Sequence, residues 1–266
     1  MRPITLRTLL FGSLLTMLAI PSVMTGSEIK VLCTHAFMEA MTEVGAQFEE
    51  QTGNRLAITY GTTGNIVKRI TGGETADLVI ATAAAVQNLV KSGNVIEGSN
   101  LSIASTGIGV AVRAGTPKPD VSSVEAFKSS LLAAKSVAYS DPADGAASGI
   151  HFAKVLQRLG IAGQMKPKSK LVGGGGNVGE VAAKGEAEIA VQMTSELLPV
   201  AGITYVGPLP GDLQDITVFA AGISANGTER DAAKALINFL SSPGVEPKLK
   251  ATGLEPALRS VPSVKK

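Results

Sequence analysis

From Ile29 onward the chain alternates short apolar runs with segments whose apolar residues recur every three or four positions, and no other feature limits its fold as tightly. Ile29-Lys30-Val31-Leu32-Cys33 reads as a strand. Residues 37–51 read as a helix, with Phe37, Met41, Val44 and Phe48 along one face. The pattern repeats with a strand at 56–60, a helix at 66–70, a strand at 77–80 and a helix at 83–91. Strands separated by helices pair in parallel, through crossovers that lay the helices on the sheet. The sequence therefore predicts an α/β unit on a mostly parallel sheet with both faces covered.

A Gly-broken apolar strand, Ile108-Gly109-Val110-Ala111-Val112, then leads into Arg113-Ala114-Gly115-Thr116-Pro117, and the alternation starts again. Helices at 124–134, 150–159 and 178–183, with strands at 136–139, near Leu171 and at 189–192, make a second unit. After the loop Gly207-Pro208-Leu209-Pro210, another apolar strand at 216–223 carries the chain back. A final long helix, capped by Thr228 or Asp231, runs through Leu240. Two lobes discontinuous in sequence are expected, the first from residues 27–112 and 217–266, the second from 113–216. The 266 residues, 45% of them apolar, suffice for two cores.

Arg2 and Arg7 precede an apolar stretch at 9–20, followed by Pro21 and small or polar residues. These are the three regions of a secretory signal peptide, assigned to residues 1–26, and they imply a periplasmic protein. The stretch is shorter than the roughly 20 residues of a membrane span. Removing it takes away two arginines and no acid, leaving 22 basic against 22 acidic residues. Without a basic excess and without Trp, the chain lacks the footprint of a nucleic-acid binder. Cys33, the sole cysteine, leaves no disulfide and reads as a small core residue. No spacing of His, Cys and carboxylates matches a metal site, and Gly173 to Gly176 lack the Lys-Ser or Lys-Thr of a phosphate loop. Neither metal nor cofactor is expected.

The informative residues stand between each strand and the helix after it. Thr34-His35-Ala36, Gly61-Thr62-Thr63-Gly64-Asn65, Gly145-Ala146-Ala147-Ser148-Gly149 and Gly173-Gly174-Gly175-Gly176-Asn177 are short, small and polar. Loops of this kind expose the unpaired N–H groups of a helix's first turn, where the helix dipole draws an anion. In open α/β sheets they gather beyond the carboxyl ends of the strands. None of the four carries Lys or Arg, so binding through dipoles and hydrogen bonds is expected. Ser, Thr, Asn and Gly also serve as ordinary helix caps, and it is their repetition in both units that favours a small-anion site.

This order of elements, with Thr34-His35, Tyr60-Gly61-Thr62-Thr63-Gly64-Asn65, Ala76-Asp77-Leu78-Val79-Ile80 and Asp141-Pro142-Ala143, resembles the molybdate-binding branch of the type II periplasmic solute receptors. The resemblance covers nearly the whole chain after the signal. It implies a two-lobed periplasmic binding protein fold with a ligand cleft between the lobes, a monomer, and an ABC permease as partner. Carried over residue by residue, it places Thr34, Thr62, Thr63, Ala147, Ser148, Asn177 and Thr194 against the ligand, with His35 beside them. Where the family has a compact Ser-rich first loop, this chain has the bulky, titratable His35; its second-loop serines are threonines, and its four-glycine loop is unusual. These departures favour an organic di- or tricarboxylate over molybdate. The same branch is similar to aconitate isomerase, which interconverts trans- and cis-aconitate.

Two functions are therefore open. The first is a receptor that captures a small carboxylate for ABC-type uptake. The alternative is an isomerase that moves a double bond by an allylic proton shift, with His35 as the acid/base because its ordinary pKa lies near neutrality. His151, at a helix start, reads as an exposed or capping residue, and Asp77, Asp141 and Asp144 as residues that shape loops and a Pro turn.

Overall fold

The alternating runs become two mixed sheets. The computed structural model describes residues 26–257, and the expected signal peptide lies outside them but for Gly26. In chain order the elements are β1 (Glu28–Thr34), α1 (Met38–Thr52), β2 (Arg55–Gly61), α2 (Thr63–Thr71), β3 (Leu78–Thr82), α3 (Ala83–Lys91), β4 (Leu101–Thr106), β5 (Ile108–Arg113), α4 (Val124–Ala133) and β6 (Val137–Ser140). There follow α5 (Ala147–Arg158), α6 (Ala162–Met165), β7 (Ser169–Val172), α7 (Val178–Ala183), β8 (Ile189–Met193), α8 (Thr194–Leu197), β9 (Ile203–Pro208), β10 (Thr217–Ile223), α9 (Arg230–Leu240), α10 (Glu246–Ala251) and β11 (Glu255–Pro256). The first sheet has the order β11-β4-β10-β3-β1-β2 and the second β7-β6-β8-β5-β9.

Pairing is parallel among β1, β2 and β3 and among β6, β7 and β8. The strands that carry the chain between lobes run the other way: β10 is antiparallel to β3 and β4, and β5 to β8 and β9. That makes the sheets mixed where a mostly parallel arrangement was expected. The first crossing falls at Gly107, between β4 and β5. Residues 108–112, expected to close the first lobe, thus belong to the second sheet, because β5 pairs with β8 from Ile108–Met193 to Ala111–Ala190. Part of the loop expected before the return is strand β9.

Strand alternation decides which face each core serves. In the first lobe Val31, Cys33, Leu78 and Ile80 join Phe37, Val44 and Phe48 of the α1 side, as its sequence periodicity predicted. Leu32, Val79 and Ala81 point the other way, into a separate cluster with Ile66 and Ile70 of α2 and Val86 and Leu89 of α3. Full burial of such side chains contributes about 1.5–3 kcal/mol each. In the second sheet Val110, Val137, Tyr139, Ile189 and Val191 face the large cluster. The opposite face is paved by Ala111, Ala138 and Ala190, which let α7 lie close through Val178 and Ala182.

Two polar clamps position the frame. The Asp77 carboxylate accepts from the N–H groups of Lys30 (2.8 Å), Thr228 (2.8 Å) and Glu229 (3.0 Å), tying β1 and the entry to α9 to the start of β3. At the crossings, Gln214 pairs with Ile108 as a second backbone would: its Oε1 accepts from the Ile108 N–H and its Nε2 donates to the Ile108 carbonyl, both at 2.9 Å. The outgoing and returning segments are joined there.

A candidate anion cleft between the lobes

Parallel register aligns the strand ends that open onto the cleft. Thr34 at the end of β1 stands beside Gly61 at the end of β2, and Ser140 of β6 beside Val172 of β7. The loops leaving these four strands meet around a cavity of about 30 Å³. The first lobe lines it with Thr34, His35, Ala36, Thr62, Thr63 and Phe219, the second with Ser140, Ala146, Ala147, Ser148, Val172, Gly175, Gly176, Gln192, Met193 and Glu196. A space that size holds about one water, so admitting an organic anion requires the lobes to part.

They are held together by their loops. The Thr62 hydroxyl donates to the Asp144 carbonyl, and the Gly64 N–H to the Gly145 carbonyl at 3.1 Å. Two glycines make the approach feasible: a Cβ on Gly64 would lie 2.7 Å from the Gly145 Cα.

Hydrogen-bond donors dominate the wall. The hydroxyls of Thr34, Thr63, Ser140 and Ser148 have no protein partner among the described residues. Helix α5 begins at Ala147 behind Ala146, which offers no side-chain cap, so the N–H groups of its first turn keep their demand for an acceptor. Elsewhere the capping role prevails: Thr62 Oγ1 accepts from the Asn65 N–H at 3.1 Å. Among the described residues, no Lys or Arg lines the cavity.

His35 sits on the single 3-10 turn between β1 and α1. Its ring lies against the glycine loop, so closely that a Cβ on Gly175 would come 2.7 Å from Nε2. Gly175 also has φ +78°, a conformation side chains disfavour. The unusual histidine and the unusual glycine loop thus account for each other. Asp144 holds the loop in place, its Oδ2 accepting from the Gly174 N–H at 2.6 Å. Burial lowers the His35 pKa below its ordinary value, against a hydrogen bond to the Gly61 backbone that works to raise it.

Glu196 and Gln192, absent from the sequence-based site, face the same cavity. Gln192 Oε1 accepts from the Val178 N–H at 2.9 Å, and its Nε2 donates to Glu196 Oε1 at 3.0 Å. Burial pushes the Glu196 carboxyl up to about 7, opposed by that hydrogen bond. One signal was available: Gln192 is the only polar residue in the otherwise apolar strand Ile189–Met193.

Thr34, His35, Thr62, Thr63, Ala147 and Ser148 come together as the sequence anticipates; two other residues do not. Asn177 caps α7, accepting from the Gly179 N–H at 2.8 Å and donating to the Glu196 carbonyl at 3.0 Å, and lines only an adjoining groove. The Thr194 hydroxyl turns to Tyr205 Oη at 3.3 Å, outside the cavity. His151 Nε2 lies 2.8 Å from the Leu213 carbonyl, also outside it.

The chain as a whole is similar to several known proteins. The family described as bacterial extracellular solute-binding protein matches residues 29–255. Aconitate isomerase of a Pseudomonas species is 34% identical over 261 residues, 94% of this chain and 97% of that one. Molybdate-binding protein ModA of Azotobacter vinelandii is 27% identical over 232 residues, 85% of this chain and 89% of its own. The solved periplasmic molybdate-binding protein of A. vinelandii superposes with a TM-score of 0.70 at 21% identity, covering 86% of this chain and 99% of that one. The resemblance read from the loops and strand order is borne out.

Proposed function

Because the chain belongs to the bacterial extracellular solute-binding protein family, we propose that its cleft takes up a small polycarboxylate and isomerises it, interconverting trans- and cis-aconitate by an allylic proton shift. This reverses the order in which the sequence alone ranked receptor and enzyme. The observation that carries it is the place of His35 in the cavity wall. Its ring lines the cavity against the glycine loop, and burial lowers its pKa, which favours the neutral imidazole and with it a ring-nitrogen lone pair. A pure anion receptor gains nothing from a lone pair in its cleft, whereas removal of a carbon-bound proton needs one. The unpaired hydroxyls and the first turn of α5 would hold the substrate carboxylates and stabilise the charge that spreads onto them. The 34% identity to an aconitate isomerase supports the same reading. Its place of work on this reading is the periplasm.

Proton NMR is the test. Purified protein should convert trans-aconitate to the cis isomer, and His35→Ala should abolish conversion while retaining binding. Binding without conversion would restore the receptor reading, in which the cleft delivers its anion to an ABC permease. That reading draws on the 27% identity to ModA and on the donor-rich wall. A thermal-shift panel of molybdate, tungstate, sulfate, citrate and both aconitates separates the ligands, since an anion that binds only the folded state raises the melting temperature.

A further inference from the structure

One acid/base side chain in the cavity, Glu196, is left unused by His35 chemistry. Glu196 is carried by α8, which packs against the turn bearing His35, and both side chains line the cavity and its adjoining groove. They come from opposite lobes. The carboxyl is held at one oxygen only. With Gln192 Oε1 occupied by the Val178 N–H, the Gln192 amide presents its NH2 to Glu196 Oε1. Glu196 Oε2 has no partner among the described residues. The Asn177 side chain, bonded to the Glu196 carbonyl at 3.0 Å, fixes the backbone from which the carboxyl projects.

Resting on the isomerase reading, we propose that Glu196 is the second proton-carrying group of the cleft, protonating the carbon at the far end of the allylic unit from the one His35 deprotonates. The step balances. His35 takes the proton of the substrate methylene, and that C–H pair becomes the new C=C bond. The old C=C pair takes up the Glu196 proton, whose O–H bond breaks to leave a carboxylate. Imidazole and carboxylic acid become imidazolium and carboxylate, so the net charge of the site is unchanged. Exchange with solvent returns both groups to their starting states. A neutral acid also admits a polyanion that an ionised carboxylate would repel.

The charged and titratable groups around Glu196 are few. His35 faces it from its turn, and Glu39 of α1 and Glu180 of α7 line the groove. Strand β8 carries none, and the one on β5, Arg113, stands at the other end of that strand. Turnover requires His35 neutral and Glu196 protonated. The rate should therefore fall on the acid side, below the lowered pKa of His35, and on the alkaline side, above about 7.

The experiment follows trans-aconitate in D2O by NMR with wild type, Glu196→Gln and Glu196→Asp. Wild type should give cis-aconitate carrying solvent deuterium at the newly protonated carbon. In Glu196→Gln, isomerisation should fall by at least about 100-fold, the effect of losing a general acid. Binding measured by calorimetry should stay within about threefold, and exchange of the methylene protons for deuterium should continue, because His35 remains. Glu196→Asp, which keeps a carboxyl, should retain turnover together with the alkaline limb. Isomerisation by Glu196→Gln within about threefold of wild type would overturn the proposal. So would loss of exchange together with isomerisation in a variant that still binds, since Glu196 would then be the base. A wild type that binds trans-aconitate without converting it removes the isomerase reading itself, and this proposal with it.

Discussion

Replacing Gly64 by alanine should weaken ligand binding while leaving the lobes themselves intact. The new Cβ would stand 2.7 Å from the Gly145 Cα and 3.0 Å from the Asp144 carbonyl, where ordinary contacts lie at 3.4–4 Å. Both obstacles are backbone, so the loops must separate by about 1 Å rather than a side chain turning aside. That strains the Gly64 N–H to Gly145 bond and the Thr62 to Asp144 bond, the two that close the cleft. At about 0.5–1.5 kcal/mol each, their loss shifts the closed state by about 1–3 kcal/mol. Binding that needs closure weakens by the same free energy, about 5- to 150-fold. The fold does not share the penalty. Gly64 is the second residue of α2 and has no left-handed φ, so alanine is tolerated there by the helix itself. Calorimetry with trans-aconitate and a melt of the unliganded protein measure the two effects separately. An affinity within about twofold of wild type at an unchanged melting temperature would refute the claim that these loops govern closure.

Three further outcomes are expected. Gly175→Ala should unseat the His35 ring, which occupies the space of the new methyl, and should cut isomerisation more than it cuts affinity; equal losses in both would count against the packing argument. Burial raises the Glu196 carboxyl from 4.5 to about 7, so the folded chain holds that proton more tightly than the unfolded one. Stability from this source is complete below about 4.5 and lost as pH rises through about 7, so wild type should lose melting temperature relative to Glu196→Gln between pH 5 and 8. Parallel curves would contradict it. Cys33 is fully buried, with its thiol pushed far above the ordinary range, and should resist thiol reagents until the protein is unfolded; labelling at native conditions would show that β1 opens.

Much of this architecture is written locally. Strands such as Ile189–Met193 are short apolar runs, and the 178–183 and 83–91 helices begin and end where their periodicity does. What the local pattern misses is set by pairing. Nothing near Ile108 shows whether that strand joins the sheet behind it or the one ahead, because the choice rests on its register with Met193, far along the chain. The site divides in the same way. Thr34, Thr62 and Ser148 were singled out because short polar loops recur after strands in both units, and all three line the cavity. Asn177 caps α7 and lines the adjoining groove instead of the cavity itself; a helix-capping asparagine and a ligand-binding one look alike in sequence. Glu196 was invisible: in Thr194-Ser195-Glu196-Leu197 it reads as a routine acid in a helix's first turn, and only the opposing lobe gives it a cavity to face.

The Gln214 amide makes the two interlobe connections behave as one ribbon. Two independent straps would let the halves slide and twist; a single bound ribbon leaves swinging as the easiest motion, like a door on one hinge. In this structure the two halves meet where Gly64 touches Gly145. His35 hangs on the frame and Glu196 on the door. If the lobes swing in this way, the pair on which the proposed chemistry depends comes together only when they close.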